Sequence, residues 1–221
     1  MIPAMKTIAF ITAKGGPGKS TLAASIAVAA QESGEKVYLI DLDPQESLYK
    51  WGQRREADEP AVDKITADKL QAAVGSIKKA GYTLAIIDTA GVDTAANSAA
   101  MAVADMCLVP SRPSMLDIEA ARPTVSSLLR MKRKFAFVLN QCPTGRTLRP
   151  TDASRALGMM GGLALPFIGQ RADHMDAIAL GQGVTERDPS GKAADEVRNL
   201  WGWIKNQMEK KTNGQEQTRV A

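Results

Sequence analysis

The segment ITAKGGPGKSTLAAS, residues 11–25, combines glycines, lysines and hydroxyl side chains at a spacing that suits a phosphate-binding loop. The run GKS at residues 18–20 matches the second half of the usual pattern, which ends in Gly-Lys-Ser/Thr. The first half differs, because Ala13 stands where the pattern has a glycine, and a second lysine, Lys14, follows it. The segment therefore predicts a site for nucleotide phosphates that has one lysine more than a single pocket needs.

The chemistry of the loop residues predicts their roles. Glycines let successive backbone N–H groups turn inward around a phosphate, and the N-terminus of the following helix adds partial positive charge. We expect Lys19 to reach the β- and γ-phosphates, Ser20 to bind Mg²⁺ and Thr21 to lie beside the α-phosphate. The glycines of this cofactor-binding loop are Gly15, Gly16 and Gly18.

Carboxylates end two other apolar segments. Asp41 and Asp43 stand in DLDPQES, and Asp88 ends LAIIDTAG. One carboxylate of the first pair can hold the metal through water while the other orients the attacking water, and Asp88 is the expected acid for the metal's water shell. A turn followed by a helix cap is the alternative for the pair, since Asp-Pro starts many helices.

The elements that must position these residues alternate between strand-like and helix-like segments. This alternation predicts an α/β fold, with a mostly parallel, twisted sheet flanked by helices on both faces, of the P-loop NTPase kind. Ligands of such sheets bind beyond the carboxyl ends of the strands, where all of these motifs lie. We expect one ATPase domain over residues 1–211 and a disordered polar tail over residues 212–221. In the segment SMLDIEAARPTVSSLLRMK, Pro123 predicts a kinked or broken helix.

Composition narrows the class of protein. The chain has 221 residues, of which 44% are hydrophobic and 24% charged, as in soluble globular proteins. No apolar run approaches the ~20 residues of a membrane span, so we expect a cytoplasmic protein. The net charge of +4 permits contact with nucleic acid without requiring it.

The cysteines and the histidine carry no predicted chemistry. Cys107 and Cys142 lie in apolar, strand-like segments without a zinc-site spacing, so we expect buried, reduced thiols. Their positions also disfavour an iron–sulfur cluster, whose ligating cysteines would lie in loops. His174 follows QRAD, which predicts a loop position with a surface or capping role.

Three segments together resemble the motifs of the ParA/MinD family of deviant Walker A ATPases: KGGPGKST, DLDPQ and IIDTAG. Within this family, the chain most closely resembles the small plasmid-partition members. The resemblance implies that Lys14 crosses the interface of an ATP-bound dimer and contacts the partner's phosphates. It also implies that Asp43 positions the hydrolytic water, so Asp41 is the carboxylate of this pair that we expect to hold the metal. Asn140, at the end of FAFVLN, resembles the family's adenine-contacting asparagine, with a strand-end cap as the alternative. VPSRPSMLD, residues 109–117, resembles a partition-ATPase segment whose prolines shape the dimer interface.

The resemblance implies a DNA-partition ATPase. Such a protein binds ATP and Mg²⁺, forms a homodimer, coats nucleoid DNA without sequence preference, and is released when a ParB- or ParG-like centromere-binding protein stimulates hydrolysis. The alternatives are a relative that positions another cargo in conjugation or organelle distribution, a MinD-like membrane-bound regulator, and a metabolic P-loop kinase, in which Lys14 would have no role.

Two surfaces are candidates for partner contact. A stripe on the last predicted helix has the composition of an interfacial membrane helix, although the commoner use of such a stripe is packing on the sheet. The stripe consists of Val197, Leu200, Trp201, Ile204 and Met208. The basic residues of the second half of the chain are the DNA candidates, with a solvated basic surface as the alternative. They are Arg149, Arg155, Arg171, Lys192 and Arg198, together with Arg146 and Lys205.

Overall fold

The structure, a computed structural model, describes residues 5–92, 95–145 and 147–216. Within these ranges it has a seven-stranded sheet in the order β3-β2-β4-β1-β5-β6-β7, and all neighbouring strands run parallel. The strands are β1 (Lys6–Phe10), β2 (Val37–Asp41), β3 (Ala61–Lys64), β4 (Leu84–Asp88), β5 (Met106–Ser111), β6 (Phe135–Leu139) and β7 (Gly162–Leu163). The predicted α/β class with a parallel sheet is confirmed.

Helices cover both faces of this sheet. They are α1 (Lys19–Glu32), α2 (Ser47–Arg54), α3 (Leu70–Lys79), α4 (Ala95–Val103), α5 (Met115–Arg130), α6 (Arg149–Gly158), α7 (Ala172–Ala179), α8 (Val184–Arg187) and α9 (Lys192–Glu216). A single 3₁₀ turn, Ala67–Lys69, precedes α3. The predicted domain limit at residue 211 stays a prediction, since α9 continues past it and residues 217–221 lie outside the described part.

Successive strand residues enter opposite core layers, which explains the unbroken apolar runs of the strands. Every residue of β4 is buried. Leu84 and Ile86 pack into the layer that contains the buried residues of α1 and α9, whereas Ala85 and Ile87 pack into the layer formed with α3, α4 and α5. A strand covered on both faces needs apolar side chains at every position, as the sequence has here.

The register of the central strands aligns the motifs of the candidate site. Asp41, the last residue of β2, lies beside Asp88, the last residue of β4. Asp88 in turn pairs with Phe10 at the end of β1. The glycine-rich loop that follows β1 and both carboxylates therefore share one edge of the sheet, where ligands of parallel sheets bind.

Two local predictions need correction. Of the kink or break predicted at Pro123, the break is wrong, because α5 runs from Met115 to Arg130 around it, and the kink stays a prediction. The proline is exposed, and its buried neighbours Thr124 and Val125 keep the helix packed on the core. The segment LALPFIG, residues 163–169, is apolar enough in sequence to predict a last strand, but only Leu163 belongs to β7. Pro166 has no N–H to continue the ladder, and pairing resumes only as an isolated bridge between Gly169 and Cys142.

The last helix packs on the sheet, so its apolar stripe is not an exposed membrane surface. All five stripe residues belong to the core layer that includes α1, and none is more than 6% exposed. In the part of the chain that the structure describes, no helix has the length and apolarity to cross a membrane. Cys107 and Cys142 are buried free thiols, as predicted, and burial raises the pKa of each to about 12.

Candidate nucleotide-binding site

The glycine-rich loop runs from β1 into α1 in a conformation that requires glycine at two positions. Gly16 and Gly18 both have φ of 89°, in the left-handed region. A methyl group at Gly18 would also come within 2.5 Å of Asn140 Nδ2. The sequence pattern thus records a backbone constraint that side chains would violate.

Side chains after β6 hold the carbonyl groups of the loop. Asn140 Nδ2 donates a hydrogen bond to the Pro17 carbonyl at 2.7 Å, and Gln141 Nε2 donates to the Gly16 carbonyl at 3.0 Å. The N–H groups of Gly16 and Gly18 donate to no group in the described ranges. The carbonyl groups of the loop are thus hydrogen-bonded to side chains, while its N–H groups remain available as donors. This arrangement binds an anion at a helix N-terminus.

Lys19 is buried beneath this loop. Only 6% of the residue is exposed, and burial lowers its pKa, against the opposing charges of Asp88 and Asp43. A buried ammonium without a paired carboxylate is costly unless an anion arrives. No salt bridge of Lys19 is present among the described residues, so a phosphate is the natural counter-ion.

Asp88 is the group that best fits a metal. It is fully buried, and its carboxylate oxygens have no well-formed hydrogen bond to a described residue, although the Ser20 hydroxyl lies close enough to stabilise the charged form. Burial, with help from the Asp41 and Asp43 charges, raises the pKa of Asp88 to about 7, while Ser20 and Lys19 act in the opposite direction. An orphaned carboxylate beside a hydroxyl suits a hard cation such as Mg²⁺, which takes one or two protein carboxylates together with substrate phosphates. The described residues contain no larger cluster of His, Cys, Asp or Glu that could form an all-protein metal cage.

Asp41 has the structural role, in a turn before a helix, that the sequence offered as the alternative to metal or water binding. Its Oδ1 accepts from the N–H of Asp43 at 2.9 Å, and its Oδ2 accepts from the N–H of Tyr49, in the first turn of α2, at 2.8 Å. Burial raises its pKa, and these two hydrogen bonds oppose the shift. Asp41 therefore fixes the turn that carries Asp43, and its role as a metal ligand stays a prediction.

Asp43 lies at the accessible side of the turn. Its side chain is partly exposed, and Oδ1 accepts a hydrogen bond from the N–H of Gln45 at 2.9 Å. A partly hydrated carboxylate next to the phosphate loop can orient a water molecule for in-line attack.

Lys14 lies at the outer edge of the loop. It is 35% exposed, and its Nζ contacts Asp117 Oδ1 at 2.9 Å. Asp117 belongs to the first turn of α5, where its N–H donates to the hydroxyl of the N-cap residue Ser114. Burial alone would raise the pKa of Asp117, but hydrogen bonds from Ser114 and Lys14 hold it below its usual value. The sequence analysis singled out residues 109–117 for their prolines and did not name Asp117. The Ser-x-x-Asp pattern of Ser114 and Asp117, typical of a helix N-terminus, could have identified it.

A cavity of about 340 Å³ adjoins the loop on the β6 side. Asn140 lies in its wall and is 5% exposed. The other lining side chains come from α1, the segment after β6 and α7, and include Thr21, Leu22, Gln141, Arg171, His174 and Met175. The cavity follows directly from the phosphate loop, and its size and mixed lining suit a nucleobase.

The prediction that His174 lies in a surface loop is wrong. The residue lies within α7 and is 8% exposed. It shares the buried face of this helix with Ala177, three positions on. The spacing of three residues between His174 and Ala177, which places both on one face of a helix, could have indicated that His174 is buried.

The predicted DNA-binding residues differ in their availability, because some are exposed and others form ion pairs within the chain. Arg149, Arg155 and Lys192 are exposed. Two others are held by ion pairs within the chain: Arg171 contacts Glu196 at 2.6 Å, and Arg198 contacts Glu32 at 3.1 Å. Lys205 likewise contacts Glu35 at 2.9 Å, and Arg146 lies outside the described residues. DNA binding by any of these residues stays a prediction.

A phosphate loop after the central strand and buried acids at the ends of neighbouring strands define a P-loop nucleotide-binding protein. Residues 8–217 match the family described as CobQ/CobB/MinD/ParA nucleotide binding domain, and the chain belongs to this family. The fold is that of the ParA/MinD P-loop proteins.

Two curated relatives with different names match about half of the chain. The chain is 34% identical over 122 residues to "Maintenance of carboxysome distribution protein A" of Gloeobacter kilaueensis, covering 54% of this chain and 55% of the relative. It is 32% identical over 117 residues to "Protein ParA" of Rhizobium radiobacter, covering 51% of each. The matched segment thus spans about half the length of these curated relatives.

Among solved structures, the MinC:MinD cell division protein complex of Aquifex aeolicus contains a chain of the same fold. The TM-score is 0.76 at 21% identity, and the match covers 91% of this chain and 96% of that chain. At this identity the likeness supports the fold and not a shared partner.

Proposed function

We propose that this chain is a Mg²⁺-dependent ATPase of DNA partition, which dimerises around ATP, binds DNA without sequence preference and is released when a partner protein stimulates hydrolysis. The contrast between its two lysines carries the proposal. Lys19 is buried under the phosphate loop, whereas Lys14 is 35% exposed at the outer edge of that loop. One pocket uses one lysine, so the outer lysine suits a nucleotide held by a second copy.

The residues of the site divide the work of phosphoryl transfer. The loop N–H groups and Lys19 bind and orient the phosphates, and Asp43 orients the attacking water. Ser20 and Asp88 would hold Mg²⁺, which neutralises charge on the phosphate oxygens. Lys14 of the second copy would stabilise the charge that develops during transfer. Because that lysine arrives only in the dimer, we expect slow hydrolysis by the isolated chain.

Dimerisation would also switch DNA binding. A single chain with three or four phosphate contacts binds DNA weakly, and each contact adds about −0.9 to the slope of log affinity against log salt. A dimer joins two such sets in one unit, so its affinity rises by avidity without new contacts. Under this proposal the protein acts in the cytoplasm on nucleoid DNA, and its partner is a ParB- or ParG-like activator.

The first test is DNA binding with ATP, ADP and no nucleotide, at two salt concentrations, for the wild type and Lys14→Ala. We expect binding only for the wild type with ATP, and weaker binding at the higher salt. Equal affinity with ADP and ATP at matched salt would contradict the dimer switch. If the protein bound no DNA under any of these conditions, the proposed role in DNA partition would be refuted.

A second candidate keeps the ATPase and changes the cargo. The resemblance to a carboxysome distribution protein supports it, because that relative is as similar in sequence as the ParA relative. A MinD-like membrane regulator is less well supported, since the stripe on α9 is buried. Sedimentation with anionic liposomes and ATP distinguishes the membrane alternative, and DNA binding that depends on ATP with no effect of a centromere-binding protein would favour another cargo.

A further inference from the structure

Four helices in the described ranges end in the same hydrogen-bonded turn, and one of them has a lysine where the others have glycine. In each turn, the N–H groups of a left-handed residue and of the residue after it donate to carbonyls of the last helical turn. The left-handed residue is Gly34 after α1, Gly81 after α3 and Gly181 after α7, with φ of 92°, 83° and 69°. After α5 it is Lys132, with φ of 52°. Glycine is usual at this position because a Cβ atom makes the left-handed conformation costly. Lys132 therefore loses stability that a glycine would retain, which points to a use for its side chain.

Lys132 stands in a run of cations between α5 and β6, namely Arg130, Lys132, Arg133 and Lys134. Residues 120–151 contain no aspartate or glutamate. Arg130 and Lys132 are exposed and Arg133 is partly exposed, and no salt bridge joins any of these three to a described carboxylate. Arg133 Nε is also buried without a hydrogen-bond partner in the part of the chain that the structure describes. These three residues, the basic turn, thus carry positive charge that the described residues do not neutralise.

The acidic residues of the neighbouring elements do not offset this charge. Asp105 lies just before β5, the neighbour of β6, and its carboxylate accepts an N–H group of β1 at 2.8 Å. Lys134 donates to the carbonyl of Gln207, which places α9 against the turn. Glu209 of α9 is exposed there, but the exposed Lys210 follows it. The edge of the sheet at the start of β6 is therefore electropositive, which attracts a polyanion.

We propose that the basic turn is the DNA-docking surface of this chain, and that Arg130, Lys132 and Arg133 bind phosphate oxygens of the duplex backbone. The inference rests on the proposed function, which names DNA as a ligand, and it assigns the residues that bind it. Contacts to phosphates position a protein on the duplex and carry no sequence information, in keeping with binding without sequence preference. Arg171 and Arg198, which the sequence suggested, are less available because carboxylates of the chain already pair with them.

The position of the basic turn is compatible with nucleotide-dependent dimerisation. The turn precedes β6, whereas Asn140, which contacts the phosphate loop, follows the same strand. The five residues of β6 separate the two by roughly 16 Å, at about 3.3 Å for each residue. DNA bound at the start of the strands would leave the nucleotide edge of the sheet free for a second copy.

An anionic membrane is the other polyanion that a basic turn could attract. Stable attachment to a membrane takes a second signal besides charge, such as an inserted apolar face or a lipid chain. The apolar stripe of α9 is buried in the core, and Leu129 is the exposed apolar side chain next to the cations. A single leucine is a weak second signal, so the charge of the turn favours DNA.

The decisive variant is Lys132→Gly, because the inference predicts opposite effects on stability and on DNA binding. Glycine relieves the left-handed strain, so the melting temperature should rise by roughly 2–4 °C. Binding of a short, fluorescently labelled duplex with ATP present, measured by anisotropy over a range of salt concentrations, should weaken. The slope of log affinity against log salt should fall by about 0.9 for each turn that touches the duplex, and the affinity at about 0.1 M salt by roughly 5- to 10-fold. Arg130→Gln/Lys132→Gly should double the change in slope.

A control with the same loss of charge separates contact from general electrostatics. Arg122→Gln/Arg187→Gln removes two exposed cations, one on α5 and one on α8. Arg122 lies eight residues before Arg130, about 12 Å along the helix and beyond the screening length of about 10 Å at 0.1 M salt. This variant should keep the wild-type slope. Sedimentation with ATP should show that all variants dimerise like the wild type, so a loss of DNA binding is not a loss of the dimer.

Several results would overturn the inference. They are an equal loss of DNA affinity in the control, unchanged DNA affinity in Arg130→Gln/Lys132→Gly, and a loss confined to Arg149→Gln/Arg155→Gln, which would assign DNA to α6. A fall in both melting temperature and affinity for Lys132→Gly would give Lys132 a structural role instead. Binding to phosphatidylserine vesicles that is lost with the basic turn, while DNA binding is retained, would assign the turn to a membrane. A wild type that binds no DNA in any nucleotide state would refute the proposed function together with the inference, whereas a wild type that binds DNA without using this turn would refute the inference alone.

Discussion

Lys14 and Asp117 form an ion pair within one chain, with 2.9 Å between Nζ and Oδ1. Arg112 Nε lies 3.4 Å from the same oxygen, and the Ser114 hydroxyl donates to the other carboxylate oxygen. Under the proposed function Lys14 has two successive partners, namely Asp117 in its own chain and a phosphate in the second copy. Dimerisation must then break the first contact before it gains the second.

Replacing Asp117 should therefore favour the ATP-bound dimer. Asp117→Asn keeps the shape that caps α5 and removes the charge that holds Lys14. A partly exposed ion pair contributes about 0.2–1 kcal/mol, and a symmetric dimer breaks one such pair in each chain, so the dimer should become tighter by roughly 2- to 30-fold. Analytical ultracentrifugation with ATP measures this change.

Two comparisons make the Asp117 result specific. Glu35→Gln removes a carboxylate paired with Lys205 just before β2, at the opposite edge of the sheet, and should leave dimerisation unchanged. The double variant Lys14→Ala/Asp117→Asn should lose the gain. A weaker dimer in Asp117→Asn alone would contradict the exchange and assign Asp117 a contact within the dimer.

Asp88 predicts a pH-dependent stability in the absence of metal. Its pKa is about 7 in the folded chain, against an ordinary value of 3.8, so between these pH values the folded state binds more protons than the unfolded state. The contribution of this group to the free energy of unfolding therefore falls as the pH rises from about 4 to 7 and is constant above that range. Asp88→Asn removes the titration, and its melting temperature in EDTA should exceed that of the wild type by more at pH 8 than at pH 5.

The size of the Asp88 effect is measurable by calorimetry. One unit of pKa shift corresponds to about 1.4 kcal/mol, and 1 kcal/mol moves the melting temperature of a chain of this size by roughly 2–4 °C. A difference in melting temperature that stays constant from pH 5 to pH 8 would show that the carboxyl does not titrate there. Addition of Mg²⁺ with ADP should stabilise the wild type and not Asp88→Asn, which separates metal binding from burial.

The fold and the phosphate loop could be predicted because local sequence determines them. Continuous apolar strands such as β4 indicate a sheet covered on both faces, and the glycines of the loop record a backbone constraint. The contacts of His174 and Arg171 could not be predicted in this way, since burial in α7 and the pair with Glu196 depend on packing between segments far apart in the chain. Asp41 lies between these cases, because an Asp-Pro turn motif is visible locally while the N–H of Tyr49 is supplied by the fold.

Gly18 should tolerate no side chain, whereas Gly34 should tolerate one at a modest cost. The two have φ of 89° and 92°, so alanine at either meets the same left-handed strain, about 1 kcal/mol or somewhat more. At Gly34 a methyl group has nothing within 4 Å, but at Gly18 it would lie 2.5 Å from Asn140 Nδ2. Gly18→Ala should therefore displace Asn140 and lose ADP affinity at least 10-fold more than Gly34→Ala does. Similar ADP affinities of the two variants would show that the approach of Asn140 to the loop is not required.

Asp41 and Asp43 stand two residues apart, but replacing them should have different effects: one on stability and the other on hydrolysis. Both oxygens of Asp41 accept backbone N–H groups in a buried site, so Asp41→Asn, which offers one acceptor oxygen where two are used, should cost about 1–3 kcal/mol of stability. Asp43→Asn changes a partly exposed side chain and should leave the melting temperature within about 2 °C. Steady-state hydrolysis by Asp43→Asn should nevertheless fall at least 10-fold, with ATP affinity retained, because a neutral amide orients the attacking water poorly. If Asp43→Asn hydrolysed ATP at the wild-type rate, another group would have to orient the water. If Asp41→Asn were as stable as the wild type, its two hydrogen bonds would not secure the turn.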